Sequence, residues 1–100
     1  MSIKRTGVIG RGIYIHPYYY NFLPDEVKDE CITINAYTEN SAYFYGNIIE
    51  KVDEGYARVF NNSFFTRLHK AEAMDEQIQS KAKQYGIIGG IEWFFGVMVD

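Results

Sequence analysis

The chain has 100 residues and a mass of 11.6 kDa, which is the size of one domain with one core. Hydrophobic residues make up 47% and charged residues 23% of it, a composition that excludes a disordered or fibrous protein. The sequence has no apolar run long enough to span a bilayer, and one cysteine excludes an internal disulfide and a multi-cysteine zinc site. We therefore expect a single cytoplasmic domain over residues 1–100, with no membrane association.

The first strand is predicted at residues 8–16, where Ile13 and Ile15 lie on one side and Tyr14 on the other. Two glycines within it indicate a bulge or the close approach of another backbone. Their spacing matches neither a dinucleotide-binding loop nor a P-loop. Pro17 ends the strand, because proline has no N–H to donate to a sheet.

An aromatic loop at residues 17–23 and an acidic helical turn at residues 24–30 are predicted next. Pro24 is suited to the first position of that turn, and the acidic residues lie near its positive end. A turn that ends at Gly55 is predicted within the sheet that follows. The predicted antiparallel strands of this region lie at residues 31–37, 42–49 and 56–60.

A long amphipathic helix is predicted to begin at one of residues 61–63, which are good N-caps, and to end at Gly86. Its apolar stripe is interrupted by Asp75. A last strand is predicted at residues 91–99, and its large side chains on both faces indicate two covered faces or a contact between copies. The predicted fold class is α+β: an antiparallel sheet of about four to five strands packed against one long amphipathic helix.

Charge is unevenly distributed along the chain. Residues 1–24 hold three basic and no acidic residues, residues 25–55 hold two basic and eight acidic residues, and residues 56–100 hold five of each. Proteins that bind nucleic acid neutralise phosphates with clustered lysines and arginines, and no such cluster occurs after residue 11. We therefore expect no direct nucleic-acid binding.

Few residues offer catalytic or metal-binding chemistry. Cys31, His16 and His69 are the only thiol and imidazole side chains, and nothing in the sequence brings them together as a nucleophile and a base. Metal-binding patterns such as H-x-x-x-H or D-x-D-x-D-G are absent. We predict no catalytic residue, no metal site and no cofactor.

The acidic segment and nine tyrosines predict a docking function. Tyrosine gives a large contact area with few rotatable bonds and is enriched at protein interfaces. We expect a non-enzymatic module that binds a basic protein, one that handles nucleic acid, through complementary charge. By analogy with other small acidic domains, this includes a phage or mobile-element inhibitor of a host protein such as a CRISPR effector. The predicted contact residues are Tyr18, Tyr19, Tyr20, Asp25, Glu26, Asp29, Glu30, Tyr43, Tyr45, Asp53 and Glu54.

Two alternative functions stay open on the sequence. One is a ligand-binding or catalytic domain with a pocket between helix and sheet, lined by Trp93, tyrosines and one of His16 or His69. The other is a homo-oligomeric structural subunit joined through the C-terminal strand. That strand carries four large apolar side chains, Trp93, Phe94, Phe95 and Met98.

Overall fold

A computed structural model describes residues 4–34, 41–57 and 59–99. The elements in chain order are β1 (Arg5–Ile15), α1 (Pro17–Tyr20), α2 (Asp25–Lys28), β2 (Ile32–Ile34), β3 (Ala42–Asp53), α3 (Asn62–Glu72), α4 (Asp75–Gln84) and β4 (Ile91–Val99). The strands form one antiparallel sheet in the order β2-β3-β1-β4. The α+β class and the antiparallel sheet of four strands are thereby confirmed.

Both faces of the sheet bury side chains, because successive residues of β1 point to opposite faces. One face, which we name the helix face, packs Ile13 and Tyr45 against Ile78 and Ala82 of α4. The other, the inner face, lies within the curl of the sheet. Its buried residues are Val8, Ile32, Ile34 and Phe94.

Glycines in β1 permit the close packing of the strands. A Cβ atom at Gly10 would collide with the ring of Phe94, and one at Gly12 would collide with the backbone of Tyr45. The register between β1 and β3 shifts between Ile9 and Gly10, which marks a bulge. The predicted bulge and close backbone approach are both confirmed.

Two short helices follow β1. Residues 17–23, predicted as a loop, contain α1, and Nδ1 of His16 accepts a hydrogen bond of 3.1 Å from the backbone N–H of Tyr18 at its start. The acidic turn is confirmed as α2, with Pro24 as its N-cap rather than its first residue. Val27 attaches α2 to the core of the helix face.

The hairpin of β2 and β3 is confirmed where the structure describes it. Ile32 lies opposite Phe44 and Ile34 lies opposite Ala42, whereas residues 35–37 of the predicted strand lie outside the described residues. β3 is longer than predicted, because its last residues pair with the start of β1. The predicted turn is thereby confined to residues 54–55.

The strand predicted at residues 56–60 is wrong for the described part of that segment. Tyr56 and Phe60 are exposed and belong to no strand. The sheet ends in β2 on one side and in β4 on the other, and the described residues of this segment pair with neither strand. The alternation of side chains in this segment is typical of a strand, but alternation alone does not provide a neighbouring strand to pair with.

The single long helix is also wrong, because a turn at Ala73 and Met74 separates α3 from α4. Both predicted ends are nevertheless confirmed. The side chain of Asn61 accepts a hydrogen bond of 3.0 Å from the backbone N–H of Phe64 at the start of α3. Gly86 follows α4 with a φ of 76°, in the left-handed region that glycine adopts most easily.

The contacts of Asp75, the first residue of α4, explain why the helical region is interrupted between α3 and α4. Its carboxylate accepts two hydrogen bonds from the guanidinium of Arg11 in β1, of 2.8 Å from Nε and 2.7 Å from Nη2. The same guanidinium lies 4.8 Å from the ring centroid of Trp93 in β4. These charge-assisted bonds raise the pKa of Arg11 and lower the pKa of Asp75. The contact thus joins the start of α4 to two strands of the sheet.

Asp75→Ala is expected to lower the free energy of unfolding by about 2 kcal/mol at neutral pH, because it leaves a mostly buried guanidinium without its carboxylate. This contribution is present above the unfolded-state pKa of about 3.9. It is lost as the pH falls through the lower folded-state pKa of Asp75. Urea unfolding from neutral to acidic pH measures both effects. Glu76→Ala, an exposed acid in the same helical turn, is the control, and an equal loss there would contradict the assignment.

Candidate functional site

The predicted contact residues divide between the two ends of β3. Tyr43 lies near the start of that strand and Asp53 is its last residue, ten positions later. Ten residues of extended strand span about 33 Å. The eleven predicted residues therefore do not form one surface.

An exposed aromatic cluster lies on and after α1. Tyr18, Tyr19 and Phe22 are 60%, 66% and 73% exposed. The ring centroid of Tyr18 lies 5.4 Å from that of Tyr19 and 5.1 Å from that of Phe22, both in edge-to-face geometry. Tyr19 and Phe22 also line a groove of about 520 Å³ together with Tyr85 and Ile88. The three rings are held together by one another and remain open to contact.

Phe22 was not among the predicted contact residues, although the sequence carries a signal for it. Tyr18 and Phe22 are four positions apart, the spacing that places two side chains on one side of a helical turn. A loop over residues 17–23 has no such periodicity, whereas a helical turn does. The hydrogen bond from the N–H of Asn21 to the carbonyl of Pro17 shows the helical turn that brings them together.

Tyr20 and Tyr43 attach α1 to the sheet. Their rings are stacked with centroids 3.7 Å apart and planes 9° apart. Nζ of Lys28 lies 5.5 Å from the ring centroid of Tyr20. Burial raises the pKa of Tyr20. These two tyrosines are half-buried, so they position the aromatic cluster more than they extend it.

Tyr45 belongs to the core of the helix face. It is 6% exposed and lies edge-to-face against Tyr85, with ring centroids 5.9 Å apart. Burial, and next the negative charge of Glu30, raise the pKa of Tyr45 to about 12. The side chain is therefore placed to stabilise the fold rather than to meet a partner.

Three exposed carboxylates lie in and after α2, the element that follows the aromatic cluster in the chain. Asp25 and Glu26 form the first turn of α2, and Asp29 follows that helix. None of the three makes an ion pair within the described residues. Glu30 differs, because its carboxylate lies 3.9 Å from Nζ of Lys81. We name the surface formed by the aromatic cluster and these carboxylates the docking end; it comprises Tyr18, Tyr19, Phe22, Asp25, Glu26 and Asp29.

Asp53 and Glu54 lie at the opposite end of β3, beside basic residues at the start of the chain. A carboxylate oxygen of Asp53 lies 3.8 Å from Nζ of Lys4 and accepts a hydrogen bond of 3.2 Å from Thr6. A carboxylate oxygen of Glu54 lies 3.8 Å from a guanidinium nitrogen of Arg5. The basic first segment thus neutralises part of the acidic segment, through the pairing of β1 with β3.

The thiol of Cys31 and the imidazole of His16 make contacts within the fold, and the imidazole of His69 lies elsewhere. Cys31 donates a hydrogen bond of 3.3 Å to the carbonyl of Val27, and burial raises the pKa of its thiol, which disfavours the nucleophilic thiolate at neutral pH. His16 caps α1. His69 and Trp93 line a separate hollow of about 240 Å³. His16 lines the groove of about 520 Å³ together with tyrosines, whereas Trp93 lies in the other hollow with His69. The residues of the alternative pocket are therefore divided between two places among the described residues.

The described residues offer no metal site, and the comparisons give no family. In the described part of the chain, no three His, Cys, Asp or Glu side chains are grouped so as to hold a metal ion, and no helix is long and apolar enough to cross a membrane. Comparison of the chain with protein-family models, with curated proteins and with solved structures finds no match.

The raised pKa of Tyr45 predicts alkaline sensitivity. Because the folded state holds this phenol proton more tightly than the unfolded chain, its contribution to stability is present below pH 10 and is lost as the pH rises to about 12. The loss amounts to roughly 3 kcal/mol. Tyr45→Phe is expected to remove this part of the decline, measured by urea unfolding across that pH range. Tyr19→Phe, at an exposed ring, should retain it; identical curves for the two variants would contradict the prediction.

Proposed function

We propose that this protein is a non-enzymatic binding module whose docking end contacts a positively charged surface of another protein. The observation that carries the proposal is the exposure of three adjoining aromatic rings, followed within a few residues of the chain by three carboxylates that have no ion-pair partner within the described residues. A contiguous apolar patch of this kind is typical of an interaction site.

The two kinds of side chain select the same kind of partner. Carboxylates attract lysine and arginine, and aromatic rings bind the same cations through their faces. The contact of Lys28 with Tyr20 is an example within the chain itself. An arginine on the partner would be able to stack on a ring of the aromatic cluster and pair with a carboxylate of α2. Aromatic residues also dominate the energetic centre of many protein interfaces.

Proteins that handle nucleic acid are the natural partners, because they present rows of lysine and arginine to phosphate groups. A module seated on such a surface would compete with the nucleic acid. Competition of this kind would make the module an inhibitor, and a phage or mobile-element inhibitor of a host effector, such as a CRISPR effector, is the form of this function that we favour.

Charge reversal tests the electrostatic part of the proposal. The combined change Asp25→Lys, Glu26→Lys and Asp29→Lys is expected to reduce capture of basic proteins from a cell lysate at least tenfold, as measured by quantitative mass spectrometry. Capture by the wild type should weaken as salt rises. The control carries the same change in net charge at other exposed acids: Glu72→Lys, Glu76→Lys and Glu92→Lys. If the control loses capture equally, net charge rather than the docking end is responsible.

Removal of the rings tests the aromatic part. Tyr18→Ala and Phe22→Ala are each expected to weaken binding of the captured partner by about 1–2 kcal/mol, with little change in melting temperature, because both side chains are exposed. Isothermal titration at two salt concentrations measures the loss, which should persist at the higher one. Tyr56→Ala removes a similarly exposed tyrosine outside the docking end and should bind normally. Wild-type affinity in Tyr18→Ala and Phe22→Ala would contradict the proposed contact.

A further inference from the structure

A second apolar surface lies on the helix face, in the part of the sheet where β1 pairs with the end of β3. A groove of about 530 Å³ opens there. Ile9 of β1 lies opposite Phe95 of β4 on one side and opposite Glu50 of β3 on the other. Trp93, Phe95 and Phe60 are among the residues that line this groove. We name it the β4 groove.

The β4 groove leaves large aromatic side chains uncovered. Phe95 is 86% exposed, Phe60 is 59% exposed and Trp93 is 37% exposed. Since a buried aromatic side chain removes 150–250 Å² from water, these three residues offer roughly 300–450 Å² of contact area. This is about half of the ~800 Å² that each partner contributes to a standard interface. Val97, on the same side of β4 as Phe95, is 40% exposed and adds to it.

Several charged side chains around the β4 groove are paired with one another, although Lys51 and Glu92, which alternate onto the inner face, have no ion pair among the described residues. The ion pairs that involve its lining residues or their neighbours in the strands are Glu50 with Arg67, Asp53 with Lys4, Glu54 with Arg5, and Asp75 with Arg11. Within the described residues, the face of the sheet that forms the groove therefore shows no unbalanced charge with which to select a charged partner. The unpaired carboxylates of the docking end lie beyond the other end of β3.

A small ligand fits this surface poorly. Small-molecule sites combine apolar walls with a few polar groups that orient the ligand. The charged side chain in the lining of the β4 groove is that of Glu50, which is 6% exposed and is held by Arg67. An apolar protein surface is the better match to these walls.

We infer that a second copy of this chain covers the β4 groove in a two-fold symmetric dimer. A two-fold interface requires one patch to be complementary to itself. The β4 groove meets this requirement, because Phe95 projects from the same patch that contains the hollow, so that each copy's Phe95 enters the groove of the other. Interfaces of permanent homodimers are more apolar than transient ones, as this patch is. The chain carries a net charge of −3, and its neutral groove allows two copies to meet without repulsion there.

The dimer would present two docking ends. Two linked binding surfaces raise the effective concentration of the second contact once the first has formed. This consequence adds to the proposed function, but the dimer itself does not depend on it.

Light scattering after size exclusion, with sedimentation equilibrium over roughly 1–100 µM protein, tests the inference. The wild type is expected at twice the monomer mass of 11.6 kDa, and Phe95→Glu is expected at that monomer mass throughout. Because Phe95 is so exposed, the variant should retain the wild-type circular dichroism spectrum. Ile88→Glu introduces the same charge at a residue that is 90% exposed and lies away from the β4 groove, and it should remain a dimer.

Three outcomes would overturn the inference. They are a monomeric wild type, a dimer that Phe95→Glu leaves intact, and a mass that grows beyond two copies with concentration, which would indicate a head-to-tail contact. Phe60→Ser gives a second variant without added charge, which should weaken the dimer. Failure here is separable from failure of the docking end: Phe95→Glu should still capture a basic partner, and the charge-reversed docking end should still dimerise.

Discussion

The contact of Arg11 with Asp75 and Trp93 is the constraint on which the arrangement of the helices depends. Arg11 lies near the middle of β1, Asp75 begins α4, and Trp93 belongs to β4, so one guanidinium joins three elements. Its planar fork matches the carboxylate with two parallel hydrogen bonds, which the single ammonium group of lysine does not reproduce. Because this contact holds the start of α4 against the sheet, α3 and α4 pack against different parts of the sheet.

Helix length then decides which parts of the sheet stay open. The ten residues of α4 span about 15 Å, whereas the twelve residues of β3 span up to about 40 Å. A helix of this length covers only the middle of the helix face, where Ile13 and Tyr45 are buried, and α3 reaches the later part of β3 through the ion pair of Arg67 with Glu50. The short helices α1 and α2 extend the cover at one end and carry the docking end. At the other end the cover is incomplete, and the β4 groove results.

Local signals in the sequence predicted much of the fold, and contacts between distant residues explain the features that those signals missed. Side-chain alternation located β1, β3 and β4, while Asn61 and Gly86 marked the outer ends of the helical region, because strands and caps depend on near neighbours. The break at Ala73 and Met74 depends on Arg11, which is more than sixty positions away, and both residues there are acceptable in a helix. The described residues of the segment 56–60 pair with no strand, and pairing with a distant strand is not something that local alternation reports.

The same difference between neighbours in sequence and contacts in space changes the importance of charge in the candidate site. A count along the chain shows a strongly acidic segment, but pairing between β1 and β3 places Lys4 and Arg5 beside Asp53 and Glu54. Three carboxylates of the docking end remain without an ion pair in the described residues, and exposed ion pairs contribute at most about 1 kcal/mol each. Aromatic residues at an interface contribute 2 kcal/mol or more where they form its centre. In the proposed complex, the carboxylates would therefore act mainly on the rate of encounter with a basic surface, and the rings of the aromatic cluster would determine how long the complex lasts.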